Sequence, residues 1–382
     1  MRNESTNQSG KILATSEDFV PTAFNLPGQP PDSGPVDWQI AMKRAIRSSR
    51  ELREAVGLPP NASDTPGPDG KLRCEHDFRT FAPLEFVSRI RPGDPDDPLL
   101  RQVLPILDEE IEQAGFGSDP VGDLNALAAP GVLHKYEGRA LVLTTAACGI
   151  HCRYCFRREF PYQETGSRSD DWRPSIDYLE SNPDIEEVIL SGGDPLTTTD
   201  EKLHELLTAI ENIRHVQRLR IHSRMPIVIP QRLTDSLVNR LSESRLAVWL
   251  VIHTNHPQEL SDAVLSRLAA AIDSGIPVLN QAVLLRGVND DADTLIQLCR
   301  RLVNHRIQPY YLHQLDQVRG AAHFEVPVET GLRLLDTLRA ALPGYAVPQY
   351  VFEEAGAKSK LPISDSSTTV TSQASSDSNV RI

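Results

Sequence analysis

Residues 140–155 read ALVLTTAACGIHCRYC. The run ALVLTT, ending at Thr145, is short and apolar, as a buried strand is. The same kind of run returns five times downstream. EVILS ends at Ser191, RLRIHS at Ser223, AVWLVIH at His253, PVLNQAVL at Leu284 and IQPYYLH at His313. Amphipathic stretches lie between them, near 172–181, 200–213, 234–243, 259–274 and 291–304, and a last one near 329–341 follows the sixth strand. Strand and helix alternating at roughly 30-residue spacing is the signature of parallel βα units. The expected class is α/β. Six units are too few for a closed eight-stranded barrel, which leaves a partial (β/α)6 barrel or an open doubly wound sheet.

The polar residues favour the partial barrel. Cysteines follow the first strand, Gly192-Gly193-Asp194 the second and Arg224 the third. His253 ends the fourth, Gln281 lies in the fifth and Asp316 follows the sixth. Barrels gather chemistry on the C-terminal rim of many strands. Doubly wound sheets use mainly one switch point.

Upstream, Ile40, Ala45, Ile46, Leu52, Val56 and Leu58 are spaced as on an amphipathic helix between Val36 and Pro60. Leu100, Val103, Leu104, Leu107 and Ile111 predict another between Leu99 and Ala114. The chain thus divides into a polar tail at 1–35, a mainly helical region at 36–130, the barrel at 131–345, a short segment at 346–363 and a Ser/Thr-rich tail at 364–382. Both tails are too polar to offset their ordering entropy and read as disordered. Residues 59–70, PPNASDTPGPDG, read as a loop or linker.

Over 382 residues the net charge is −13, with 40% hydrophobic and 24% charged residues. This describes a soluble globular protein and argues against broad binding to nucleic acid or to an anionic membrane. No apolar run reaches the roughly 20 residues a membrane helix needs, and the N-terminus lacks a signal-peptide core. A cytoplasmic location follows as the expectation. Of five cysteines, three fall within Cys148–Cys155, which is no disulfide framework. Cys74 and Cys299 stand alone and read as small buried hydrophobes.

Cys148, Cys152 and Cys155 are spaced to present three thiolates from one loop, as iron–sulfur clusters require. Three thiolates leave one iron of a four-iron cluster open to a reactant. A structural zinc site, with His151 or a distant residue as fourth ligand, is the alternative. A second CxxC or HxxxH pair is missing for it.

CxxxCxxC with an aromatic residue before the last Cys resembles the motif of the radical S-adenosylmethionine (SAM) superfamily, and the likeness runs from about 131 to 313. It implies a radical-SAM partial barrel, a [4Fe–4S] cluster on the three cysteines, and cleavage of SAM to a 5′-deoxyadenosyl radical. Ser191-Gly192-Gly193-Asp194 resembles the glycine-rich motif whose backbone contacts the methionine amino group. A missing Cβ lets backbone approach a ligand.

CRYCFRREFPY, LSGGDPL, IHSRMPIVIPQRLT, NQAVLLRGVND and PYYLHQLDQVRGAAHF narrow the resemblance to the lysine 2,3-aminomutase family, over about 95–363. PDDPLLRQVLP, GVLHKYEGRALVL and HQLDQVRGAAHF look most like its elongation factor P-modifying branch. The resemblance implies an isomerase that moves the amino group of L-lysine from C2 to C3, with pyridoxal phosphate (PLP) as a further cofactor. In AKSKLPI, Lys360 matches the lysine that carries PLP, with Lys358 as its rival. Arg139 matches an arginine on the PLP phosphate. Arg157 matches the arginine that pairs the substrate carboxylate, a task for a planar fork, while Arg158 reads as a solvated charge. His253 and Gln281 match residues near SAM. Asp316 and Glu353 match the two carboxylates that recognise the lysine ε-ammonium.

The implied partners are L-lysine, elongation factor P with its lysine ligase, and an electron donor that the residues do not name. A homo-oligomer is compatible with all of this. Two other readings stand beside it: an aminomutase of free lysine in catabolism or β-lysine biosynthesis, and a non-catalytic metal-bound scaffold.

Overall fold

The computed structural model describes residues 37–59, 75, 78–166 and 171–364. Cys74, the 1–35 tail, the 364–382 tail apart from Ser364, and nearly all of the 59–70 linker lie outside them. The sheet has ten strands in sequence order. β1 (Leu127–Ala129) and β2 (Val132–Tyr136) lead antiparallel into β3 (Arg139–Thr145). β4 (Glu187–Gly192), β5 (Arg218–Ser223), β6 (Ala247–His253), β7 (Val278–Val283) and β8 (Gln308–His313) follow in parallel. β9 (Gln349–Phe352) extends the parallel run, and β10 (Leu361–Pro362) returns antiparallel on it.

The N-terminal helices are short: α1 (Trp38–Lys43), α2 (Ser49–Ala55), α3 (Leu84–Val87) and α4 (Pro98–Arg101). The crossovers are α5 (Arg173–Ser181), α6 (Asp200–Asn212), α7 (Met225–Val228) with α8 (Asp235–Ser242), α9 (Asp262–Asp273) and α10 (Ala292–Asn304). α11 (Val328–Ala341) leads into β9. The expected six βα units are all present, and the architecture is a partial barrel built on an open α/β sheet.

Period-two alternation builds the two faces. In β5, Leu219 and Ile221 are fully buried in the main core, while Arg218, Arg220 and His222 line an inner cavity. β6 repeats this with Leu250 and Ile252 outward and Trp249 and His253 inward. Each apolar side chain so buried contributes about 1.5–3 kcal/mol. A packed barrel fills its interior with branched apolar side chains; this one lines it with charge.

Three expectations need correction. The sheet holds four strands beyond the six expected. β2 (VLHKY) and β9 (QYVF) are short and mixed, and β1 and β10 are shorter still, so none shows a hydrophobic period. The single helix expected over 36–60 is two, because Ile46 leaves helical geometry to bridge Ala82 and Ser48 starts α2 as its N-cap. The helix expected over 99–114 stops at Arg101, ahead of Pro105, which has no N–H to continue it. A 3-10 turn at Leu107–Glu110 takes its place.

Candidate active site

One cavity of about 830 Å³ occupies the inner face of the sheet. Its lining includes Cys148, Cys152 and Cys155 from the loop after β3, Ser191–Asp194 after β4, and Arg157. It also includes His253, Gln281, Asp316, Glu353, Lys360 and, at the start of β3, Arg139. The residues matched to a ligand role in the sequence, Lys358 excepted, therefore border one space. Lys358 is exposed and is not part of the lining, whereas Lys360 is partly buried and is.

The cysteine loop is held from several sides. Arg153 is fully buried, donating Nε to Glu109 Oε1 at 2.8 Å and Nη2 to Glu109 Oε2 at 2.5 Å. Arg158 joins the same carboxylate at 2.8 Å with 5% of its side chain exposed, so it is no solvated charge. The His151 ring stacks on Phe78 at 5.0 Å and its Nδ1 bonds Arg79 O at 2.7 Å. Burial first, and the neighbouring cysteines next, push the Cys148 thiol well up and Cys155 up to about 11. Such thiols ionise when a metal takes the sulfur.

The glycine pair serves the backbone. Gly193 N–H donates to Thr145 O and Asp194 N–H to Ala147 O, both at 2.7 Å. A Cβ on Gly193 would run into Ala147 O, and one on Gly192, where φ is +114°, would sit 2.9 Å from Thr145 O. The missing side chains let the exits of β3 and β4 close on each other. The Asp194 carboxylate is spent internally, accepting from Ser223 Oγ and from the backbone of Leu196, Arg224 and Met225.

Along the cavity wall, charges alternate in a chain. Lys360 pairs with Glu353. Lys135 donates to Glu353 Oε1 at 2.7 Å and reaches Asp123 Oδ1 at 2.5 Å. Arg157 Nε donates to Asp123 Oδ2 at 2.6 Å. Burial would raise Glu353, but Lys360 and Lys135 together hold it down to about 2. Asp123, 1% exposed, is likewise pushed up by burial and brought below its usual range by Arg157 and Lys135. Asp316 differs. Among the described residues no hydrogen bond or ion pair reaches its carboxyl, and burial lifts its pKa to about 7 against the pull of Lys360.

His253 is neutral, held down to about 3 by burial and by Arg224, and it shares a 2.7 Å hydrogen bond with Tyr154 Oη. His222 is half-buried against the cavity, with its Nε2 buried and unpartnered. Sequence reasoning missed Asp123, Lys135, Glu109 and His222. Asp123 and Glu109 sit in loops without period, Lys135 in a strand without a clear one, and His222 alternates like any half-buried strand residue.

Residues 142–299 match the Radical SAM superfamily. The chain is 41% identical over 327 residues to an L-lysine 2,3-aminomutase of Escherichia coli (strain K12), covering 86% of this chain and 94% of that one. It is 40% identical over 335 residues to one of Haemophilus influenzae, covering 88% and 98%. A third, from Buchnera aphidicola subsp. Baizongia pistaciae, is 38% identical over 327 residues, covering 86% and 95%. Three cysteines on the C-terminal rim of a partial barrel, with this match, define a radical SAM enzyme. Within that class the chain belongs to the lysine 2,3-aminomutase family, a family of isomerases.

The family's cofactors are a [4Fe–4S] cluster, SAM and PLP, and the residues present fit them. Three thiols from one loop open onto the cavity, a soft donor set suited to iron–sulfur. The unpartnered His222 Nε2 is a buried polar atom, and the Asp316 carboxyl lines the cavity without a hydrogen bond among the described residues, so a bound ligand would satisfy both. No described helix is long and apolar enough to cross a membrane.

Proposed function

We propose that this protein converts L-lysine to β-lysine by 2,3-amino migration, and that its product is the (R)-β-lysine joined to elongation factor P by that factor's lysine ligase. One observation carries the reading. The three cysteines and Lys360 border one cavity, and Arg157 and Asp316, a cation and an anion suited to the two ends of an amino acid, line the same cavity. When bound, the cluster and SAM supply hydrogen-atom abstraction, and PLP stabilises the nitrogen as it migrates.

The chain's own residues bind and orient. Arg157, held through Nε by Asp123, offers the rest of its guanidinium to the substrate α-carboxylate. Asp316 receives the side-chain ammonium, a buried charge that needs a partner. Glu353 already pairs two ammonium groups, so it is available to a substrate only once Lys360 leaves it. Lys360 holds PLP, Arg139 takes its phosphate, and Ser191–Asp194, His253 and Gln281 surround SAM.

Anaerobic incubation with L-lysine, SAM, PLP and a reductant, followed by chiral analysis, should yield (R)-β-lysine. Absence of any β-lysine overturns the activity. Adding elongation factor P and its ligase should then move the product onto the factor, read as a mass shift. Free β-lysine without that shift favours the free-lysine role. The cytoplasm and the absence of nucleic acid belong to the same reading. Borohydride reduction should fix PLP on Lys360; a label on Lys358 would displace the assignment.

A further inference from the structure

Arg224 follows β5, and neither substrate nor PLP chemistry accounts for it. It is 7% exposed. Nη1 lies 2.7 Å from Cys152 Sγ. Nη2 donates to Gln102 Oε1 at 2.6 Å and to Glu259 Oε2 at 2.9 Å. Its guanidinium carbon stands 5.6 Å from the ring centres of both Phe86 and Tyr154. Its backbone N–H is tied to Asp194 Oδ2 at 2.7 Å. The group is fixed in position, and its charge is directed at one cluster ligand.

We infer that Arg224, through its hydrogen bond to Cys152, raises the reduction potential of the iron–sulfur cluster. Reduction adds one negative charge to the cluster and its thiolates. A cation donating to one of those sulfurs stabilises the reduced state more than the oxidised one, and hydrogen bonds to sulfur are a main determinant of such potentials. Glu259 opposes this. It is fully buried and fixed by the backbone N–H groups of Asn255 at 2.9 Å and His256 at 3.0 Å. Its carboxylate pairs with Nη2 whereas Cys152 meets Nη1, so the positive charge is in direct contact with the sulfur and prevails. Arg224 is thus a positioning and tuning residue that acts through Cys152.

The test is an EPR-monitored redox titration of the reconstituted cluster, without SAM or lysine, at matched iron and sulfide content. Glu259→Gln removes the opposing anion and should shift the midpoint to higher potential. Arg224→Gln with Glu259→Gln removes both charges, strands neither, and should shift it to lower potential than wild type. Arg224→Lys keeps the charge without the fork and should fall between the double variant and wild type. A purely structural role would change cluster loading or melting, and would not move the midpoint in opposite directions. A fully loaded double variant at the wild-type potential overturns the inference. If that variant does not load, a Glu259→Gln midpoint at or below wild type overturns it instead. The measurement uses no substrate, so its failure leaves the lysine reading intact.

Discussion

Asp316 holds its carboxyl in the cavity without a bonded cation, and burial lifts its pKa to about 7. Only the ionised form can pair an ammonium. The kcat/KM for lysine should therefore fall about tenfold per unit as pH drops below 7, since kcat/KM reports groups of the free enzyme. Asp316→Asn should remove that limb and lower the ratio of kcat/KM for lysine over norleucine. An unchanged ratio would mean that Asp316 does not read the ammonium. Asp123 makes a different contribution. Asp123→Asn leaves Arg157 and Lys135 short of a buried anion, a loss of about 3 kcal/mol in denaturant unfolding. It should raise KM for lysine through the loosened Arg157, whereas an unaltered KM would reduce Asp123 to a stability role. Arg157 was singled out through the family resemblance; its anchor, 34 residues away, was not.

Elements meet closely where side chains are missing. Gly331 lies in α11 facing Tyr350 of β9, and a Cβ there would overlap the phenol ring. Tyr350 Oη in turn contacts Gln314, which follows β8. Gly331→Ala should cost about 1–3 kcal/mol of stability, as overpacking does. It should also disturb β9, which leads directly into Glu353, so weaker lysine binding should accompany the lowered melting temperature. A variant as stable as wild type would show that α11 can move away without loss. The six principal strands and their crossover helices were legible because each repeats a buried period. β2 and β9 were not, although β2 carries Lys135 and β9 leads into Glu353, because four or five residues with one polar face hold no period.

Across the whole molecule, the open sheet is joined at its mouth by Lys135 of β2 and Glu353 beyond β9. β2 and β9 are far apart in sequence, and this ion pair links them across the cavity. At this scale the cluster can be tested directly. Purified without oxygen, the protein should bind about four irons and four sulfides. Cys148→Ala, Cys152→Ala and Cys155→Ala should each abolish this, while Cys299→Ala, in the apolar core of α10 and α11, should not. Zinc without iron in the wild type would contradict the cluster.

The sequence alone determined what is local or periodic: six parallel βα units and three thiolates on one loop. Cysteine spacing survives in a linear reading because one loop carries it, and strand period survives because burial on one face imposes it. Only the tertiary structure decided which charges meet. Asp123 with Arg157, Lys135 with Glu353, Glu109 with Arg153 and Arg158, and Arg224 with Cys152 are pairs separated by 34 to 218 residues. Coulomb attraction depends on distance in space and on burial, and neither is written in the spacing along the chain.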